Sequence, residues 1–363
     1  MKIHYVADLS EGQQIADLFL VRQKSLRTTR KGNPYLSLTL GDKSGEIEAR
    51  MWDGAEQAGK TFAANDFVYV EGDAQEYQGA VQLTVRSLRR VDPAEVDASD
   101  YLPAVDADVE VLLAELKDLC LSVSDRHIRK LMRLFFEDEA FVSDLKRAPA
   151  AKAMHHVYIG GLLQHTLSMV MLARQIADHY TCLDGDVLIA GALIHDMGKI
   201  LEFEYTTGFD YSDEGRMVGH LLQGLRMLDE KLALIEDFPA ETAMHLRHII
   251  ASHHGLPEYG SPRTPQTPEA VVLHHLDNLD AKVWAYVSTI EADSDQPGDF
   301  TRFHQPLGVH IYKGDSGRRP QKKYGFRIEH EQGGKTKASA KTRVMSDESG
   351  PSGDSLDLFD KKR

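Results

Sequence analysis

The sequence predicts a multidomain protein, a small all-β barrel followed by an all-α domain. Between residues 14 and 90 apolar residues alternate with polar ones, the period of half-buried strands. From Val109 onward the apolar residues recur at spacings of three and four, the period of amphipathic helices. In that second part histidine and aspartate recur at or near predicted helix ends.

The barrel follows from its strands. Leu36, Leu38 and Leu40 alternate with Tyr35, Ser37 and Thr39, and Ile47, Ala49 and Met51 alternate with Glu48, Arg50 and Trp52. Val68 and Val70 alternate with Phe67, Tyr69 and Glu71; Val81, Leu83 and Val85 alternate with Gln82, Thr84 and Arg86. Glycine-containing turns separate these runs at 31–34, 41–45 and 78–79. With a first strand near 14–26 and a short helix at 54–58, residues 1–92 read as a five-stranded closed barrel, for which the OB-fold is the natural candidate.

Residues 93–108 are acidic, carry Pro93 and Pro103, and read as a linker. Helices are expected over 109–123, 125–146, 160–180, 185–196, 214–235, 239–252 and 268–291, within an all-α domain spanning 109–313. Pro257, Pro262, Pro265 and Pro268 force an irregular loop. Residues 314–363 are rich in Gly, Ser, Lys and Asp with few large apolar residues, begin basic, end in SDESGPSGDSLDLFDKKR, and read as a mostly disordered tail.

The chain has 363 residues, 42% of them hydrophobic, enough for a sizeable core. No run of 18 uncharged apolar residues and no signal-peptide core is present, so the expectation is a cytoplasmic protein without a membrane span. Cys120 and Cys182 read as ordinary core thiols. The net charge of −14 argues against nucleic acid at first sight. Yet Arg22, Lys24, Arg27, Arg30 and Lys31 crowd one short stretch, so a local basic patch survives the overall balance.

His165, the dyad His195-Asp196, His220, His253-His254 and Asp277 are the chemical core of the second domain. His165 falls in line with Tyr158, Leu162, Met169, Leu172 and Ile176, on the buried face of its helix. Alone it would be a core histidine with satisfied ring nitrogens; together with the others it points to metal. Imidazole and carboxylate suit Mn²⁺, Fe²⁺, Co²⁺ or Zn²⁺, and the two oxygens of Asp196 allow it to bridge two ions.

The order His165…His195-Asp196…Asp277 resembles the HD superfamily of metal-dependent phosphohydrolases, and His220 with His253-His254 resembles its two-metal branch. That resemblance implies one metal at His165, His195, Asp196 and Asp277, and a second at Asp196, His220 and either His253 or His254. HDMGK (195–199) matches the HDxGK string of many members, which implies a catalytic Asp196 and a Lys199 that meets the substrate phosphate; the plainer alternative is Gly198 ending a helix and a solvated Lys199. HHVYIGGLLQHT (155–166), ALIHDMGK (192–199), SHHG (252–255) and LHHLDNLDAKV (273–283), behind an OB-fold, resemble the YhaM-type 3′→5′ exoribonucleases. The resemblance implies hydrolysis of single-stranded RNA, or single-stranded DNA, to nucleoside monophosphates with two divalent ions, Mn²⁺ first and Fe²⁺ or Co²⁺ as alternatives. Two rivals stay open: an HD hydrolase of a nucleotide or cyclic dinucleotide, and a non-catalytic RNA-binding protein. Self-association is open too. His155 and His156 read as substrate contacts or a hydrated helix start, and Asp280 as a prop for a ligand histidine or a surface carboxylate.

If the alternating Leu and Ile residues fill the barrel, Tyr35, Arg50 and Trp52 share its outer face, with Tyr69 and Arg86 near them. Aromatics that stack on bases beside arginines that meet phosphates suit single-strand binding, and Arg22, Lys24 and Arg27 would flank that face. The alternative is that Trp52 and Tyr69 pack on the helical domain and the cations are simply solvated.

Overall fold

The computed structural model describes residues 2–29, 31–77, 79–151, 158–205, 208–314 and Gly325. Arg30, His155, His156 and nearly all of the expected tail therefore lie outside the described residues.

Strands β1 (Gln14–Thr28), β2 (Pro34–Asp42), β3 (Gly45–Met51), β4 (Phe67–Tyr77) and β5 (Ala80–Val91) close a barrel in the order β1-β2-β3-β5-β4. Helix α1 (Ala55–Ala58) bridges β3 and β4. The register pairs Leu36 with Met51, Leu38 with Ala49 and Leu40 with Ile47, so the alternating residues point inward together. Phe19, Val70 and Leu83 join them in one buried cluster. β3 and β5 run parallel, which closes the cylinder, while the other pairs are antiparallel. This is the OB-type barrel that the periodicity predicts. At Gly72 the β4–β5 register shifts, and a β carbon there would lie 2.4 Å from the Thr84 carbonyl oxygen. Only glycine lets the two strands approach so closely.

The acidic segment 93–108 is more than a spacer. Two 3-10 turns, Pro93–Glu95 and Ala98–Asp100, lead into Tyr101 and Leu102, each 1% exposed. The Tyr101 ring meets Phe67 edge-on at 5.0 Å. Asp100 accepts from the Tyr5 hydroxyl (2.6 Å) and from Lys43 (3.2 Å). Val105 then donates to the carbonyl of Ile159 (2.9 Å), which ties the segment to the entry of the helical domain.

That domain contains α2 (Val109–Leu121), α3 (Arg126–Phe136), α4 (Glu139–Leu145), α5 (Gly161–His179), α6 (Gly185–Ile194), α7 (Lys199–Glu202), α8 (Asp213–Val218), α9 (His220–Leu232), α10 (Ala240–Ser252) and α11 (Pro268–Ala292). Two helices expected as continuous are broken. Asp138 starts α4 by accepting from the Ala140 and Phe141 amides (both 3.1 Å), and Gly219 (φ +76°) separates α8 from α9. A two-residue hairpin of β6 (Phe203–Glu204) and β7 (Asp210–Tyr211) follows α7 and had no periodic signal. Cys120 is buried as expected, but Cys182 is exposed, because it falls in the turn between α5 and α6. No helix among the described residues is long and apolar enough to cross a membrane.

Candidate metal centre

The helix ends aim the site. α6 and α10 finish at His195 and His253, and each imidazole folds back to donate through Nδ1 to a carbonyl of its own last turn: Ala192 for His195 and Ile250 for His253, both at 2.9 Å. Those carbonyls lack helical partners, so the bond satisfies them and fixes the ring. His254 donates Nδ1 to the Tyr259 carbonyl (2.9 Å), His165 bonds through Nδ1 to Asp280 Oδ2 (2.8 Å), and His220 bonds through Nδ1 to Glu202 (3.0 Å). In all five rings Nδ1 is taken by an outer acceptor, so a proton sits on Nδ1 and Nε2 is the nitrogen left to meet a metal. This tautomer suits metal binding.

The five Nε2 atoms face one another. His165 and His195 approach to 3.3 Å, and His220 and His254 to 3.2 Å. Asp196 lies between the two sets. Its Oδ2 is 3.4 Å from His195 and 3.7 Å from His165, and its Oδ1 is 3.4 Å from His253 and 3.8 Å from His220. Asp277 Oδ1 is 3.4 Å from His165. Two groups result, His165, His195, Asp196 and Asp277, and His220, His253 and His254; in each the donor atoms lie within 4.8 Å of one another. Both His253 and His254 belong to the second group.

Asp196 Oδ1 and His253 Nε2 are buried without a hydrogen-bond partner in the described structure. Leaving such groups unpaired costs about 1–3 kcal/mol each, more for a charged one. A cation between them would remove that cost, so the residues present fit divalent metal.

The electrostatics agree with a site poised for cations. Burial works against charge on Asp196, but Lys199 and His195 offset it and hold the carboxyl well below its usual range. Lys199 Nζ is 2.7 Å from Asp196 Oδ2; burial disfavours its charge, yet Asp196 and Asp277 raise its pKa. Lys199 is therefore a buried cation beside the two groups, not the solvated residue of the plainer alternative. Burial also opposes charge on His165, but Asp277 and Asp280 overcome it and lift its pKa to about 10. Burial lowers His253 to about 4, so that ring is neutral at pH 7.

Asp280 is buried, accepts from the Ser168 hydroxyl (2.5 Å) and orients His165, so of the two sequence readings the prop is the one the geometry matches. Glu202 was not singled out in sequence. It binds both the Nδ1 and the backbone amide of His220 (3.0 Å each). Its only sequence signal is an acid in the mostly apolar string KILEF just after the dyad. His274, likewise unremarked, donates Nδ1 to the His253 carbonyl (2.7 Å) and braces that backbone.

On the barrel, Tyr35 stacks on Trp52 (4.7 Å between centroids, 28° between planes), and Trp52 is 44% exposed. Arg27 pairs across β1–β2 with Tyr35, and Arg50 lies over the ring of Tyr77, 5.2 Å from its centre. Tyr77 closes β4, past the stretch to Glu71 in which the sequence alternation is legible. Arg22 and Lys24 have partners within the fold. Arg22 donates to the Tyr101 carbonyl (3.0 Å), and Lys24 to the carbonyls of Gly59 (2.6 Å) and Phe62. Tyr69 pairs with Arg89 and Arg86 with Asp73.

The barrel and the clustered donors together define an HD-type hydrolytic enzyme behind an OB-fold. Residues 162–282 match the HD domain family, and residues 20–91 match the OB-fold nucleic acid binding domain family. The 3'-5' exoribonuclease YhaM of Bacillus subtilis is 34% identical over 292 residues, covering 80% of this chain and 91% of its own. The proteins of the same name in Bacillus velezensis and Listeria monocytogenes strain EGD-e are 33% and 32% identical, covering 91% and 93% of their own lengths. The chain belongs to the YhaM family, and its HD domain carries divalent-metal dependence with it.

Proposed function

We propose that the protein is a metal-dependent 3′→5′ exoribonuclease that shortens single-stranded RNA to nucleoside monophosphates. The observation that carries this is the position of Asp196, with one oxygen toward each donor group. In this reading Asp196 is the shared ligand. His165, His195 and Asp277 complete one site; His220, His253 and His254 complete the other. Two divalent ions supply Lewis acidity at a phosphate and lower the pKa of nearby water. Mn²⁺ is the first choice, with Fe²⁺ and Co²⁺ compatible with the same nitrogen and oxygen donors.

The chain's own residues would do the rest. Lys199, buried with its charge retained, offers a cation to the phosphate that docks beside Asp196. Asp280, Glu202 and the helix-end carbonyls hold the histidine rings so that little reorganisation accompanies binding. Arg27, Tyr35, Arg50 and Trp52 give the strand an aromatic and cationic path on the barrel, and the exposure of Arg27 and Trp52 favours a polymer over a free nucleotide. Arg22 and Lys24 keep at most a secondary part, since their cations already serve backbone carbonyls. Single-stranded DNA is the alternative strand.

The test uses 5′-labelled single-stranded RNA in Mn²⁺, with Asp196→Ala beside the wild type. The expected result is a ladder shortening from the 3′ end, absent in the variant. Intact RNA in both lanes would overturn the assignment and move the search to nucleotides and cyclic dinucleotides.

A further inference from the structure

The second donor group has an apolar rim that the metal chemistry does not use. His254 is held by the Tyr259 carbonyl, and Tyr259 ends a one-turn helix, Pro257–Tyr259, that closes on Gly260 (φ +89°). The loop backbone is pinned where Ser261, 2% exposed, holds its hydroxyl within hydrogen-bond distance of the carbonyls of Ala251 and Arg263 (3.1 and 2.8 Å). Yet the Tyr259 residue is 65% exposed, and Leu256 beside it is exposed too. Next to His220, the ring that meets His254, Met217 and Val218 are exposed immediately before Gly219. Because His220 and His254 approach to 3.2 Å through their Nε2 atoms, both exposed stretches belong to segments that adjoin one histidine pair. Three residues reach at most about 11 Å, so Met217 cannot be far from it.

A rigid loop that carries a solvent-facing aromatic ring beside a phosphate-binding site matches the chemistry of a nucleotide. The phosphate is drawn to the cations, and the base attached through its ribose presents a flat π face that stacks on tyrosine irrespective of base identity. We infer that the Tyr259 ring is a substrate-binding group that stacks on the base of the 3′-terminal nucleotide, with Leu256 and Met217 bordering it. This rests on the exoribonuclease reading and adds to it a subsite that senses the presence of a base. The side chain and the carbonyl of Tyr259 have separate tasks, ring to substrate and carbonyl to His254, so side-chain variants isolate the first.

The experiment compares wild type, Tyr259→Ala and Tyr259→Phe, all full length, in Mn²⁺. The substrates are a short oligoadenylate and the same strand with an abasic 3′-terminal nucleotide. A second readout is the Kd for the fluorescent oligoadenylate, measured by anisotropy in EDTA. Tyr259→Ala is expected to raise KM and Kd on the base-bearing strand about 5- to 150-fold, the range for loss of one base stack, with kcat within about twofold. Tyr259→Phe keeps the wild-type values. On the abasic-ended strand wild type and Tyr259→Ala become equal. An unchanged KM in Tyr259→Ala overturns the inference, and so does an equal loss on both strands, which would mean that the ring supports the His254 loop. No cleavage of either strand by wild type would instead sink the exoribonuclease reading itself.

Discussion

A β carbon on Gly198 would lie 2.0 Å from the carbonyl oxygen of His220 and 2.7 Å from the Gly224 amide nitrogen. The dyad and the second donor group are thus brought together by backbone contact between the turn after Asp196 and the first turn of α9. Gly198 itself is right-handed (φ −63°), so close approach, rather than an unusual dihedral, requires glycine. Gly198→Ala is expected to destabilise the fold by about 1–3 kcal/mol through forced separation of these backbones. It should also weaken metal at the His220 side. Differential scanning fluorimetry and a Mn²⁺ titration would check both, with Gly208→Ala, whose β carbon meets nothing within 4 Å, as the control. Wild-type melting and metal binding in Gly198→Ala would refute the packing argument.

Asp280 and Glu202 act on different halves of the centre, His165 and His220 respectively. Calorimetric titration should therefore resolve two metal equivalents with separate sensitivities. Asp280→Ala is expected to weaken one by about 10- to 100-fold, the usual effect of removing a ligand's hydrogen-bond partner. An outcome in which Asp280→Ala left both equivalents intact would mean that the ring is held by packing alone.

Glu202→Gln is expected to weaken the other equivalent while leaving the first near its wild-type value. The neutral amide still accepts one hydrogen bond but no longer polarises the His220 ring, so about the same 10- to 100-fold range is an upper bound. If both equivalents weakened together, the groups would be one coupled site and not two halves joined by Asp196.

Asp138 offers a pH test away from the centre. Its carboxylate takes a hydrogen bond from Lys231 (2.6 Å) and caps α4, and these bonds lower its pKa below the ordinary value. A depressed carboxylate contributes stability that is fully present above its unfolded pKa and is lost as pH falls through the folded value. Asp138→Ala should cost about 0.5–2 kcal/mol at pH 7, the usual range for a helix cap. In urea denaturation the gap between wild type and variant should narrow as the pH drops below the usual carboxylate range. A gap independent of pH would assign the cost to packing.

Local pattern made the barrel, the helical period and the metal donors legible, because each is written in neighbouring residues. Leu36, Leu38 and Leu40 declare their face by alternation; His195-Asp196 and His253-His254 sit where α6 and α10 end. What stayed hidden depends on contacts between distant segments. Glu202 reads as one acid among many until the chain reversal at Gly219 brings His220 onto it. Arg22 and Lys24 read as a phosphate patch because sequence states a charge but not its partner; their acceptors, Tyr101, Gly59 and Phe62, lie 35 to 79 residues away. The break between α3 and α4 escaped for a related reason, since the apolar period runs through it and only the cap at Asp138 marks it.

The outer face of the barrel should control strand binding without touching the chemistry. Trp52 stacks on Tyr35, and Arg50 lies over Tyr77, so the four residues form two aromatic platforms, one of them with its own cation. β3 carries Arg50 and leads directly to Trp52, and neither side chain contributes to the buried cluster inside the barrel, so truncation removes surface and not core. Trp52→Ala is expected to raise KM on a long single strand by about 5- to 150-fold, the loss of a base stack, while leaving kcat and the cleavage of a dinucleotide unchanged. Arg50→Ala should act more weakly and reduce the salt dependence of binding, because it removes a cation that screens with ionic strength. Equal losses on the long strand and the dinucleotide would locate the effect at the metal centre and would remove the barrel from strand binding.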